Sequence, residues 1–97
     1  MIWHANIFLL TPEEGGRITP ILFGYRPAIY FQGDKSQWSM YIHTMEPKVI
    51  DPGGSGRISF ELVSEEGPAD RLTVGKEFQI HEGTRVVANA VILAVDM

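Results

Sequence analysis

Breaks rich in glycine or proline fall at 12–16, 24–27, 51–56, 67–68 and 83, and no stretch between them holds a 3.6-residue hydrophobic period. A chain punctuated this often has little room for helices. The intervening runs are short and rich in β-branched and aromatic residues, which is the signature of an all-β protein. Six strands are predicted, at about Ile2–Leu10, Arg26–Phe31, Ser39–Met45, Arg57–Val63, Glu77–His81 and Arg85–Val95. The fourth alternates most cleanly, with Ile58, Phe60 and Leu62 on one face and Arg57, Ser59 and Glu61 on the other. Pro27 lacks an N–H, so it belongs at an edge or at the start of its strand. Glu82-Gly83-Thr84 reads as a tight hairpin turn, with glycine free to take positive φ.

The sixth strand is apolar on both faces. Val87, Val91, Leu93 and Val95 are assigned to the core, which leaves Val86, Ala88, Ala90, Ile92 and Ala94 on the other side. Either the strand is central and covered by the protein's own loops, or Val86, Ala88, Ala90 and Ile92 form a contact surface for a partner or a second copy.

Ninety-seven residues suit a single domain spanning 1–97, and 44% hydrophobic content supports one core. There are no cysteines, hence no disulfide framework and no thiolate metal site, which fits a cytoplasmic protein. The N-terminus lacks the pattern of a signal peptide, and no apolar run approaches the ~20 residues that span a bilayer. The formal charge of −4 disfavours whole-molecule steering towards nucleic acid, though local basic patches remain open.

No residue set announces catalysis. His4, His43 and His81 fall on separate segments without paired-ligand spacing, so no metal site is expected, and His43 reads as an outward surface residue. Gly54-Ser55-Gly56 precedes a strand and is too short for a nucleophile elbow. Asp51-Pro52-Gly53-Gly54-Ser55-Gly56 has neither the lysine nor the helix of a phosphate-cradling loop, so no nucleotide is expected there. Glu13 and Glu14 open a turn, where Arg17 can neutralise one of them. Arg26 is expected to stack on Tyr25 as a structural corner. Trp38 is assigned to the core, whereas Trp3 is core or an exposed anchor. Ser64-Glu65-Glu66-Gly67-Pro68-Ala69-Asp70 reads as a solvated acidic loop.

One run is more specific. Glu13-Glu14-Gly15-Gly16-Arg17-Ile18-Thr19-Pro20, followed by Gly24-Tyr25-Arg26-Pro27 and Tyr30-Phe31, resembles the opening of the C-terminal β-barrel domain of elongation factor Tu, the bacterial GTPase that carries aminoacyl-tRNA. Phe78-Gln79-Ile80-His81-Glu82-Gly83-Thr84-Arg85-Val86-Val87-Ala88 resembles the family's closing hairpin. Ile50-Asp51-Pro52-Gly53-Gly54 is similar, more loosely, to its Met-Pro-Gly-Asp turn. Together these cover roughly Ile7 to Val95.

The resemblance implies a six-stranded antiparallel closed barrel, in agreement with the six strands counted above. It implies a domain with no catalytic role, which packs on the factor's other domains, touches the T-stem backbone of tRNA and meets the nucleotide-exchange factor. Carried over by position, the RNA-facing residues are Arg17, His81, Glu82 and Gly83, with Arg85 and Gly16 beside them. For Arg17 a structural role competes with RNA contact and is the favoured one. Four features of the family differ: its histidine after Gly-Gly-Arg is Ile18, its hairpin arginine is His81, its second hairpin glycine is Thr84, and its basic residue between the fourth and fifth strands has no counterpart in the acidic Ser64-Glu65-Glu66. Each lost cation removes a phosphate contact, so tRNA binding is expected to be weak. No GTPase motif is present, so the chain is not expected to be an enzyme. Met1 and an end near the family's own terminus fit a separate gene product or an excised domain, the former favoured because the residues before Ile7 do not look like an interdomain linker. The expected task is binding without a cofactor: a protein partner or self-association first, tRNA second.

Overall fold

The computed structural model describes residues 1–64 and 67–96. Its strands are β1 (Ile2–Leu9), β2 (Ile21–Leu22), β3 (Ala28–Tyr30), β4 (Trp38–Glu46), β5 (Val49–Ile50), β6 (Ser55–Leu62), β7 (Glu77–Glu82) and β8 (Arg85–Asp96). Six of them close into an antiparallel barrel in the order β1-β6-β4-β3-β7-β8. All six expected strands are present. Pro27 lies immediately before β3, and its carbonyl accepts a hydrogen bond from the Met40 amide at 3.2 Å. β2 and β5 pair separately as a two-stranded flap, Ile21 opposite Ile50 and Leu22 opposite Val49. The sequence reading has no counterpart for this flap. Glu65 and Glu66 of the expected acidic loop lie outside the described residues.

The barrel is filled from every strand. Phe60 is fully buried and stacks on Trp3 with ring centroids 5.7 Å apart, and Phe78 packs at 6.0 Å on Phe60. Trp3 is therefore core, and its indole N–H donates to the Leu72 carbonyl at 3.0 Å, holding the β6–β7 connection to the barrel. Trp38 is half-buried, packed edge-on against Phe31 at the margin of the core.

Three β-bulges set which side chains face inward. A register shift adds His43 to β4 opposite the Phe60–Ser59 step, so Ile42 and Met45 can both point to the core. Val87 is the extra residue of β8 against Ile80–His81, and Leu93 is the extra residue against His4–Ala5. An extra residue reverses the in–out alternation. Between the two bulges of β8 the core side is therefore Ala88, Ala90 and Ile92, all buried, while Asn89 and Val91 face outward. This corrects the expected contact face. Ala88, Ala90 and Ile92 are interior and cannot meet a partner, and of that group only Val86 is even partly exposed.

The opening motif has a local explanation. After β1 a single 3-10 turn, Pro12–Glu14, is closed by a capping box. The Thr11 hydroxyl oxygen accepts from the Glu14 amide at 3.3 Å, and the Glu14 carboxylate accepts from the Thr11 amide at 2.9 Å. The carboxylate also accepts from the Thr11 hydroxyl at 3.1 Å, and the bonds from the Thr11 amide and hydroxyl hold the Glu14 carboxyl below its ordinary value. Gly15 then adopts φ 91°, and Gly16 packs so tightly on Leu10 that a Cβ would lie 2.6 Å from its carbonyl oxygen.

Candidate functional site

The turn at Gly15-Gly16 delivers Arg17 to one end of the β7–β8 hairpin. Its Nη1 donates to the Glu82 carboxylate, which also accepts from the Tyr25 hydroxyl. The Arg17 Nε donates to the Thr19 carbonyl (3.2 Å), and its Nη2 to the Thr19 hydroxyl (3.1 Å) and the Pro20 carbonyl (3.2 Å). The guanidinium also sits 5.1 Å from the centroid of the Tyr25 ring. Burial pushes the Glu82 carboxyl up, but the hydrogen bonds from Tyr25 and Arg17 and the Arg17 charge outweigh it, so the carboxyl titrates below its ordinary value. Burial, then the adjacent Glu82 carboxylate, pushes the Tyr25 phenol up. Arg17, Tyr25 and Glu82 thus form a charged latch between the segment after the motif and the closing hairpin. Arg26 does not stack on Tyr25 as expected. It lies 4.7 Å from the centroid of the Tyr41 ring, and the cation over Tyr25 is Arg17 instead.

The structure gathers the five expected RNA-facing residues at one end of the barrel but gives them unequal roles. Arg17 and Glu82 neutralise each other. His81 is 7% exposed, and its ring stacks on Tyr30 at 4.3 Å. The His81 Nε2 has no hydrogen-bond partner among the described residues. Gly83, at φ 60°, makes the two-residue turn with Thr84, and Arg85 is exposed. A cavity of about 350 Å³ opens beside them, lined by Tyr30, Lys35, Ser36, Gln37, His81, Gly83 and Thr84. Lys35 is exposed and in no ion pair among the described residues.

Burial disfavours the His81 imidazolium and moves its pKa below the ordinary value of about 6.5. The unfolded chain keeps the ordinary value, so it takes up the proton first as pH falls. The stability associated with neutral His81 is complete above that value and declines as pH drops below it. Urea midpoints of the wild type should therefore fall between pH 7 and pH 5.5. In His81→Phe, which keeps a ring against Tyr30, that slope should be markedly smaller; an equal slope would show that the titration belongs elsewhere.

The flap presents a different surface. Ile21 and Ile50 are buried beneath it, and the Phe23 amide donates to the Lys48 carbonyl at 3.1 Å. The opposite side of the pair is open: Leu22 is 58% exposed, Val49 50% and the adjacent Phe23 53%, while Ile18, in the segment leading in, is 81% exposed. Leu22 and Phe23 line a depression of about 490 Å³ with Arg17, Thr19, Pro20, Gly24 and Tyr25. The sequence reading passed over these residues. Their one signal is apolar side chains set inside a segment rich in turn residues.

Among the described residues no group of three or more metal-ligating side chains converges. His4 pairs with Asp96 at 2.7 Å and His43 with Glu61 at 3.3 Å. Among the described residues no helix is long and apolar enough to cross a membrane.

A closed six-stranded barrel, entered through Glu-Glu-Gly-Gly-Arg and finished by a Glu-Gly-Thr-Arg hairpin latched back onto that arginine, defines a narrow class. The family model described as the elongation factor Tu C-terminal domain matches residues 2–96. The chain belongs to the elongation factor Tu C-terminal domain family. It is a translation-factor-like domain, and the family's Gly-Gly-Arg signature is explained here by Gly15, Gly16 and the Arg17 latch. At Ile18 this member carries an exposed apolar residue beside the flap.

Proposed function

We propose that the chain is a non-catalytic binding module that docks a protein of the translation apparatus through the β2–β5 flap. The observation that carries this reading is the exposure of Leu22, Phe23 and Val49 on a flap anchored from below by Ile21 and Ile50. Single exposed apolar residues are ordinary, but three together on a fixed support, with a fourth nearby, are the composition of an interface centre. Pre-organisation by the flap's backbone pairing lowers the entropy lost on docking.

The double substitution Leu22→Asp, Val49→Asp leaves the core untouched and places carboxylates at the centre of the patch. Translation factors retained by the immobilised wild-type chain should bind the variant at least ~30-fold more weakly, the roughly 2 kcal/mol typical of losing a central apolar anchor. Equal retention by both chains would refute docking through the flap.

A second reading, weak binding of the tRNA backbone, is supported by Lys35 in the cavity beside Gly83 and by the exposed Arg85 that follows the hairpin turn. Arg17 is spoken for by Glu82, so these two cations would carry the contacts. Titration with bulk tRNA at low and then physiological salt tests it. Lys35→Ala and Arg85→Ala should each weaken binding and reduce the salt slope by about 1. Binding at low salt that neither substitution alters would remove the reading.

A further inference from the structure

A third surface lies on the outer face of β1, β8, β7 and β3; it shares no residue with the flap depression and meets the hairpin cavity only at Tyr30. Strand register places Phe8 opposite Asn89, Asn89 opposite Gln79, and Gln79 opposite Tyr30, so these four form one outward row across four strands. Glu77 stands opposite Val91 in the same region. Above the row is a groove of about 470 Å³, closed on one side by Phe31, Gln32 and Lys76. That volume lies in the ~300–1,000 Å³ range of small-ligand sites.

The groove's polar groups are unspent. Among the described residues, the side chains of Asn89, Gln79, Gln32 and Glu77 make no hydrogen bond or ion pair, and Phe8 is half exposed beside them. Lys76 lies 5.3 Å over the Phe31 ring, and Glu77 is the other charged side chain lining the groove. One cation opposed by one carboxylate is a poor seat for phosphate, so the ligand that fits is neutral. Each carboxamide offers an acceptor oxygen and an NH₂ donor in one plane, and a carboxylate accepts from two donors. Neighbouring hydroxyl groups, each both donor and acceptor, satisfy such a set. The Phe8 ring supplies an apolar face against which a C–H surface packs. We propose that this groove binds a neutral sugar, a mono- or disaccharide, with Phe8 as the stacking face and Asn89, Gln79, Gln32 and Glu77 as hydroxyl partners. The site is independent of the flap.

The test is an NMR titration of the isotope-labelled chain with glucose, galactose, mannose, N-acetylglucosamine, maltose and cellobiose, and with a neutral hexapeptide and inorganic phosphate as comparisons. At least one sugar should produce saturable shifts in the side-chain NH₂ signals of Asn89, Gln79 and Gln32. Phe8→Ala and Asn89→Ala, both at exposed positions, should each weaken that binding roughly tenfold. The Leu22→Asp, Val49→Asp variant should titrate like the wild type, which separates this site from the flap. No saturable shift in the groove with any sugar, saturation by the peptide or phosphate alone, or sugar shifts indifferent to both substitutions would overturn the proposal.

Discussion

Gly16→Ala is expected to destabilise the barrel by about 2–3 kcal/mol, the upper range for forcing a methyl group into filled space. The added Cβ would lie 2.6 Å from the Leu10 carbonyl oxygen, 2.8 Å from the Leu10 Cβ and 2.9 Å from its carbonyl carbon. Two of those atoms are backbone at the end of β1, where the Leu10 amide donates to the Val87 carbonyl at 3.0 Å. The segment cannot retreat without disturbing that bond and the latch that follows. Gly15→Ala is the control. Gly15 has nothing within 4 Å of its missing Cβ but sits at φ 91°, so its cost is conformational, about 1 kcal/mol. With a urea dependence of about 1 kcal/mol per molar for a domain of this size, Gly16→Ala should lower the midpoint by roughly twice as much as Gly15→Ala. The reverse order would mean that backbone conformation, not close approach, governs the Gly-Gly pair.

How much of this was legible follows from what alternation can encode. β6 was readable from Ile58, Phe60 and Leu62 because it contains no extra residue of its own. β8 was readable as a strand but not in phase. Its residues are nearly all apolar, so composition does not distinguish the two faces, and only the bulges at Val87 and Leu93 decide that Ala88, Ala90 and Ile92 face inward. A bulge is a property of the paired strand, invisible in one strand's own sequence. The small side chains of Ala88 and Ala90 now make sense beside Phe78, Phe60 and Trp3, which take the volume of the barrel interior. The flap escaped for a different reason: two-residue strands have no period, and their pairing joins positions 27 or more residues apart.

The candidate site was legible in membership but not in role. Arg17, Glu82 and the hairpin glycine were singled out through family resemblance, and they do come together. The sequence could not show that Glu82 faces Arg17, since 65 residues separate them. That contact agrees with the structural role favoured for Arg17 and brings Glu82 into the same pair. At this end of the barrel it leaves Lys35 and Arg85 as cations in no ion pair among the described residues.

Glu82→Ala tests that assignment most sharply. Removing the carboxylate deprives both the Arg17 Nη1 and the Tyr25 hydroxyl of their acceptor. Hydrogen bonds to a charged group contribute about 1.5–3 kcal/mol each when buried. The Glu82 side chain is 34% exposed and Arg17 keeps three other bonds, so a combined loss of about 2 kcal/mol is expected. Tyr25→Phe, which removes one of the two donors, should cost about half as much. The loss should also depend on pH in a defined direction. The folded carboxyl titrates below its unfolded value, so its stabilisation is present above the ordinary carboxylate pKa and disappears as pH falls through the depressed one. Wild type and Glu82→Ala should therefore differ at pH 7 and converge in acid. For tRNA the sign separates the two roles. If Glu82 were an RNA contact, its removal would weaken binding. As the partner of Arg17 it screens a cation, so Glu82→Ala should strengthen whatever low-salt binding exists, and the strengthening should vanish in the Arg17→Ala, Glu82→Ala double variant. Weaker binding by Glu82→Ala in a chain that is still folded would return Glu82 to the RNA surface and leave the latch as a matter of stability alone.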